Sequence, residues 1–138
     1  METFERAVLV CIFLFASTCK ASESDKFRIF YIPLDVNFYS PVTPENIEEL
    51  AFYSFDFTST KVGNLFVSIK KYKGARVTGD DLSGIRVKIV NIRDGGVIFI
   101  TAEKGVFSGG EKYDMETNII NAALNDIDKY SKKIKKRY

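Results

Sequence analysis

Ile85-Arg86-Val87-Lys88-Ile89-Val90-Asn91-Ile92, then Arg93-Asp94-Gly95-Gly96, then Val97-Ile98-Phe99-Ile100-Thr101: this stretch decides the fold. Two runs of β-branched and aromatic residues flank a glycine-containing turn, which is the pattern of a β-hairpin. Asp94-Gly95 suits a tight connection, with positive φ expected at both central positions. Glu103-Lys104-Gly105 supplies a second turn, and Val106-Phe107 begins a third, shorter strand. Together they predict an antiparallel meander. Within its first strand Ile85, Val87 and Ile89 alternate with Arg86 and Lys88. The apolar three are expected to face the core and the two cations to face solvent.

Upstream, Phe27-Arg28-Ile29-Phe30-Tyr31-Ile32-Pro33-Leu34 reads as a strand with two apolar faces. That predicts an interior place in a sheet covered on both sides, or paired over a thick core. Pro33 cannot donate to a ladder and marks the end. Thr43-Pro44-Glu45-Asn46 opens a short helix over about 44–52, with Thr43 as cap and Pro44 in the first helical position. Ile47, Leu50 and Ala51 line its face. Phe52 to Thr58 alternates as a second strand, with Tyr53, Phe55 and Phe57 on one side. Val62, Leu65, Phe66 and Ile69 recur at helical spacing and predict a helix over about 59–72, capped by Ser59 or Thr60 and closed at Gly74. The segment from Gly74 to Gly84 reads as a loop.

A long helix over about 116–135 ends the chain, with Ile119, Ile120, Ala123, Leu124, Ile127, Tyr130 and Ile134 as its apolar stripe. The order is therefore β-α-β-α-β-β-(β)-α. Its expected architecture is α+β: a two-layer sandwich in which about three helices cover one face of a mostly antiparallel sheet.

The N-terminus carries a different message. Ala7 to Ala16 is an unbroken apolar run after a short charged head, followed by Ser17-Thr18-Cys19-Lys20-Ala21. This is the layout of a secretory signal, and the run is too short to span a bilayer. Residues 1–21 are expected to be removed, leaving 22–138 as a single domain. Cys19 offers an alternative, since a cysteine just after an apolar run is where bacterial lipoproteins are cleaved and acylated. The chain has two cysteines, Cys11 and Cys19, so the mature domain is expected to fold without a disulfide.

Composition narrows the chemistry. The chain has no histidine and no tryptophan. The commonest general base and zinc ligand are thus missing, and both cysteines lie at or before the cleavage zone. Asp80-Asp81 is the best carboxylate pair, yet it lacks the spacing of a dedicated calcium loop and reads better as a turn. Ser108-Gly109-Gly110 fits no phosphate-cradling pattern and also reads as a turn. No catalytic residue, cofactor or metal is expected.

Charge is uneven. Residues 129–138 hold six basic and no acidic side chains, while residues 22–128 hold 12 basic and 16 acidic. Lys132, Lys133, Lys135, Lys136 and Arg137 are therefore candidates for contact with an anionic membrane surface or an acidic partner. Arg86, Lys88 and Arg93 form a second candidate patch for an acidic protein. Tyr39 and Tyr53 are candidate interface anchors, because tyrosine is enriched at binding hot spots. Nucleic acid is not expected as a partner. The leading expectation is an exported, non-enzymatic protein-binding module, such as a periplasmic inhibitor or immunity-type protein. The alternatives are a membrane-associated accessory lipoprotein and, less favoured, an enzyme using carboxylate or lysine chemistry.

Overall fold

The structure, a computed structural model, describes residues 25–77 and 82–136. The predicted signal segment, Cys19, the Asp80-Asp81 pair and Arg137 lie outside the described residues. Seven strands form one sheet: β1 (Lys26–Tyr31), β2 (Tyr53–Thr58), β3 (Ala75–Arg76), β4 (Ile85–Asn91), β5 (Val97–Thr101), β6 (Val106–Ser108) and β7 (Glu111–Tyr113). Their order across the sheet is β2-β1-β4-β5-β6-β7-β3, and every neighbouring pair is antiparallel. Among the described residues three helices complete the α+β fold: α1 (Ile47–Leu50), α2 (Thr60–Ile69) and α3 (Thr117–Ser131).

β1 takes the interior position that its two apolar faces demand, with β2 on one side and β4 on the other. Phe27, Ile29 and Tyr31 point to one face. There they join Phe55, Phe57, Val87, Ile89, Ile98 and Ile100 under the apolar stripes of α2 and α3. Val62 and Leu65 of α2 and Ile120, Ala123, Leu124 and Ile127 of α3 close this main core. Tyr130 sits with its ring centroid 4.9 Å from that of Phe55 and 5.1 Å from that of Phe57. Burying an aliphatic side chain of this kind contributes about 1.5–3 kcal/mol, so the main core carries most of the stability.

The opposite face holds the departures from expectation. Residues 33–46 run as an irregular strap and lead into α1, which packs on β4 rather than lying with the other helices. Ile32, Val42, Ile47, Ala51 and Ile85 form a second, smaller core there, flanked by Phe30, Phe38 and Phe99. A register shift between Ile85 and Val87 explains the mixed membership of β4. A bulge adds a residue to one strand and swaps the faces beyond it. Ile85 therefore joins the second core while Val87 and Ile89 stay in the main one.

Local chemistry accounts for the other differences. α1 is shorter than the expected 44–52, because the Thr43 carbonyl already accepts from the Asn46 and Ile47 amides in a preceding turn. Asn46 Oδ1 accepts from the Thr43 amide, so asparagine rather than threonine supplies the side-chain bond. Ser59 caps α2 as one of the two expected options: its Oγ accepts from the Val62 amide at 3.1 Å. Such a cap contributes about 1 kcal/mol. α3 stops at Ser131, short of 135, where the Lys133 and Ile134 amides switch to carbonyls three residues back. The hairpin turn differs too. Gly95 alone among its residues has positive φ, at 78°, and its amide reaches the Asn91 carbonyl in a wider loop. The Ser108-Gly109-Gly110-Glu111 turn is the one with two positive φ values, 58° and 78°, and it joins β6 to β7.

Candidate functional site

The strap and α1 cover only part of the face opposite the helices. Pleating places Arg28 and Phe30 of β1, Lys88 and Val90 of β4, and Val97 and Phe99 of β5 on that face. Their registers align them in rows. Asp56, Arg28, Val90 and Val97 form one row, and Phe30, Lys88, Phe99, Phe107 and Lys112 form the next. Val90, Val97, Phe30 and Phe99 are half-buried, and Ile92 is exposed beyond them. The uncovered half is an apolar centre rimmed by Lys26, Arg28, Lys88 and Lys112.

The rim charges are ordered. Arg28 grips Asp56 with Nε at 3.0 Å and Nη2 at 3.2 Å from separate carboxylate oxygens. That bidentate bond holds the Asp56 carboxyl below its ordinary range and raises the guanidinium's own value. Both groups are well exposed, so the pair contributes little to stability. Its effect is to fix where the charges point. Lys88 lies between two rings, its Nζ 5.8 Å from the Phe30 centroid and 5.9 Å from the Phe99 centroid, and it donates to Glu48 at 2.8 Å. Lys112 Nζ stands 5.9 Å from the Phe107 ring.

The candidate basic patch of Arg86, Lys88 and Arg93 is not a patch. Arg86 is 8% exposed, because the strap lies over it. The alternation of β4 holds only beyond the bulge at Arg86, and a chain segment from 50 residues upstream covers the end of the face where Arg86 sits. Lys88 is engaged with Glu48 on the open side. Arg93, at the hairpin, pairs with Asp25 at 3.2 Å. Asp25 is held below its usual carboxyl value first by the Asn91 amide and then by Arg93.

The two tyrosines also part company. Tyr39 is fully exposed at the strap, whereas Tyr53 stacks on Tyr31 at 6.0 Å and packs against the main core. In the tail, Lys132 pairs with Asp128 at 3.2 Å and Lys136 lies 4.4 Å over the Phe52 ring. Lys133 and Lys135 are exposed. Near them a depression of about 510 Å³ is lined by Asp35, Phe52, Tyr53, Asp128, Lys132 and Lys136. A larger one, about 650 Å³, lies between the β6–β7 end and the start of α3, lined by groups such as Thr101, Glu103, Lys104, Lys112 and Asp114. Neither brings an acidic pair or a nucleophile and base into mutual contact among the described side-chain hydrogen bonds.

Sequence reasoning missed Arg28, Val90 and Val97. Their alternation was visible, but which face a distant strap covers was not. Among the described residues no three acidic, cysteine or histidine side chains are placed to share a metal ion. No described helix is long and apolar enough to cross a membrane. No protein-family model matches the chain, and neither the curated proteins nor the solved structures contain a significant match to it.

Proposed function

We propose that this is an exported, non-enzymatic module that binds another protein through the uncovered half of its sheet. The observation that carries this reading is the open face itself: half-buried Val90, Val97, Phe30 and Phe99 with Ile92 beside them, inside a rim of oriented charges. An apolar centre with a polar rim is the general anatomy of a protein interface. The half of the face that the strap and α1 leave uncovered presents it without any rearrangement. Lys88, held by two rings and Glu48, is preorganised and loses little freedom on binding. The chain's lack of histidine and the position of its two cysteines support a binding role over acid–base or thiol catalysis. Export rests on the layout of residues 1–21, and it places the partner in the periplasm or outside the cell. An inhibitor or immunity-type role fits that setting.

Capture of a native partner by the tagged domain, followed by its loss in a Val90→Glu/Val97→Glu variant, is the test. The variant should fold, because both positions are already half-exposed. An Arg93→Gln control, at the hairpin and away from the open face, should retain the partner. A partner that binds the double variant as well as the wild type refutes the reading. Intact mass of native protein tests export separately: an N-terminus still at Met1 refutes it, and the same spectrum distinguishes acylated Cys19 from a free Ser22.

A further inference from the structure

Arg86 is a buried cation with no carboxylate partner among the described residues. Nη1 donates to the Ile85 carbonyl and Nη2 to the Val36 carbonyl, each at 3.1 Å, and the Phe38 ring lies 5.6 Å from Cζ. Nε is buried and has no hydrogen-bond partner among the described residues. A guanidinium has five donors arranged to fit a carboxylate. Here two neutral carbonyls and a ring stand in for that anion. Desolvation accordingly lowers the group's affinity for its proton. Buried arginines are normally paired, and an unsatisfied buried donor calls for an explanation, of which an absent anion is one.

The cover over Arg86 is the strap. From Asn37 to Ser40 its backbone makes no described hydrogen bond to the sheet. Phe38 holds it down, with its ring 6.1 Å from that of Phe52 and resting on Arg86. Phe38 also borders the second core together with Phe30 and Phe99, two members of the open face. A protein lying on that face therefore reaches the strap directly.

We propose that Arg86 is the anchor of a carboxylate subsite beneath the strap, filled by an acidic residue of the protein partner with an aromatic residue beside it. The incoming carboxylate takes the Nη2 and Nε donors, replacing the Val36 carbonyl, and the aromatic ring takes the place of Phe38. The Arg86 bond to the Val36 carbonyl is charge-assisted on the donor side alone; a carboxylate adds a charged acceptor and the bidentate geometry for which the guanidinium fork is built. This deepens the protein-binding reading and rests on it for the identity of the occupant, whereas its test needs no natural partner.

The probes are the tripeptide acetyl-Phe-Glu-Phe-amide and its Gln counterpart, titrated against the full chain. Phe38→Ala removes the cover and should bind the Glu peptide about tenfold more tightly than the wild type does, and about tenfold more tightly than it binds the Gln peptide. Arg86→Met should bring the two peptides to equal affinity. Equal affinities on Phe38→Ala, or a Glu preference that survives on Arg86→Met, overturn the proposal. Should Phe38→Ala fail to fold, wild-type protein gives a second readout, because phenylglyoxal labels guanidinium groups. Arg86 should be labelled more slowly in the Glu peptide than in the Gln peptide. Equal rates, or no labelling at all, overturn it. If Val90→Glu/Val97→Glu releases the native partner while the peptides show no charge preference, the open face stands and the anchor falls.

Discussion

The Tyr31 hydroxyl donates to Asp128 Oδ1 at 2.7 Å, joining the interior strand β1 to the last helix across 97 positions of chain. Burial is the larger reason that the Tyr31 proton is held far above its ordinary range, with the Asp128 bond next. The same bond is the main reason that the Asp128 carboxyl is held below its own, with Lys132 assisting. The signs follow by linkage. A depressed carboxyl contributes stability above its unfolded value, near 3.9, and loses it as pH falls through the folded value. A raised phenol contributes stability below its unfolded value, near 10, and loses it as pH climbs toward the folded one. Tyr31→Phe should lower unfolding free energy by roughly 1–2 kcal/mol at pH 7. In urea titrations the gap from wild type should narrow below about pH 4. A gap unchanged between pH 7 and pH 2 means the pair is not coupled to folding.

Glycine replacements should split in sign. Gly110 has φ of 78° with open space around the missing side chain, so its cost on replacement is conformational alone. Gly110→Ala should lose about 1–2 kcal/mol. Gly63 lies inside α2 with negative φ, and an added methyl would meet only the Phe27 ring at an ordinary 3.8 Å. Gly63→Ala should gain about 0.5–1 kcal/mol. Thermal melts of the two variants check both, and a gain at Gly110 would contradict the turn geometry.

The two cores should separate under truncation. Ile127, fully buried beneath α3, belongs to the main core, and Ile127→Ala should cost about 2–5 kcal/mol. Ile47 belongs to the second core. Ile47→Ala should raise amide exchange in the strap and α1 more than in β1 and β4. Equal exchange gains everywhere would mean that the strap unfolds only with the whole domain.

Neither reductant nor chelator should shift the melting temperature of the domain, since its core is built from the side chains of two apolar clusters. A fall of many degrees on chelation would mean a bound metal and would reopen the Asp80-Asp81 pair as its candidate site.

Much of the fold was legible because local patterns carried it. Tyr53, Phe55 and Phe57 against Ser54 and Asp56 predicted which side of β2 is buried, and Val62 and Leu65 did the same for α2. β3 and β7 were not legible. Two- and three-residue strands have no period to detect, and β3 pairs with a strand about 35 residues later. The candidate site was half legible. Arg86 and Lys88 alternate as an exposed pair would, and only a strap arriving from far upstream separates their fates. The bulge at Ile85 and Val87 defeats a strict count of two as well, since it moves Ile85 to the other core.

The two ends of the sheet are unequal. At one end β2 is six residues long, and at the other β3 is two. A long open border is a template for another chain, and a two-residue border is too short to be one. Copies meeting through these borders can therefore join only β2 to β2, about a twofold axis. That contact uses up the long border of both copies and leaves only the two-residue β3 borders. The stub contributed by Ala75 and Arg76 is a poor template for pairing, so edge pairing of this sheet would close as a couple rather than run head to tail.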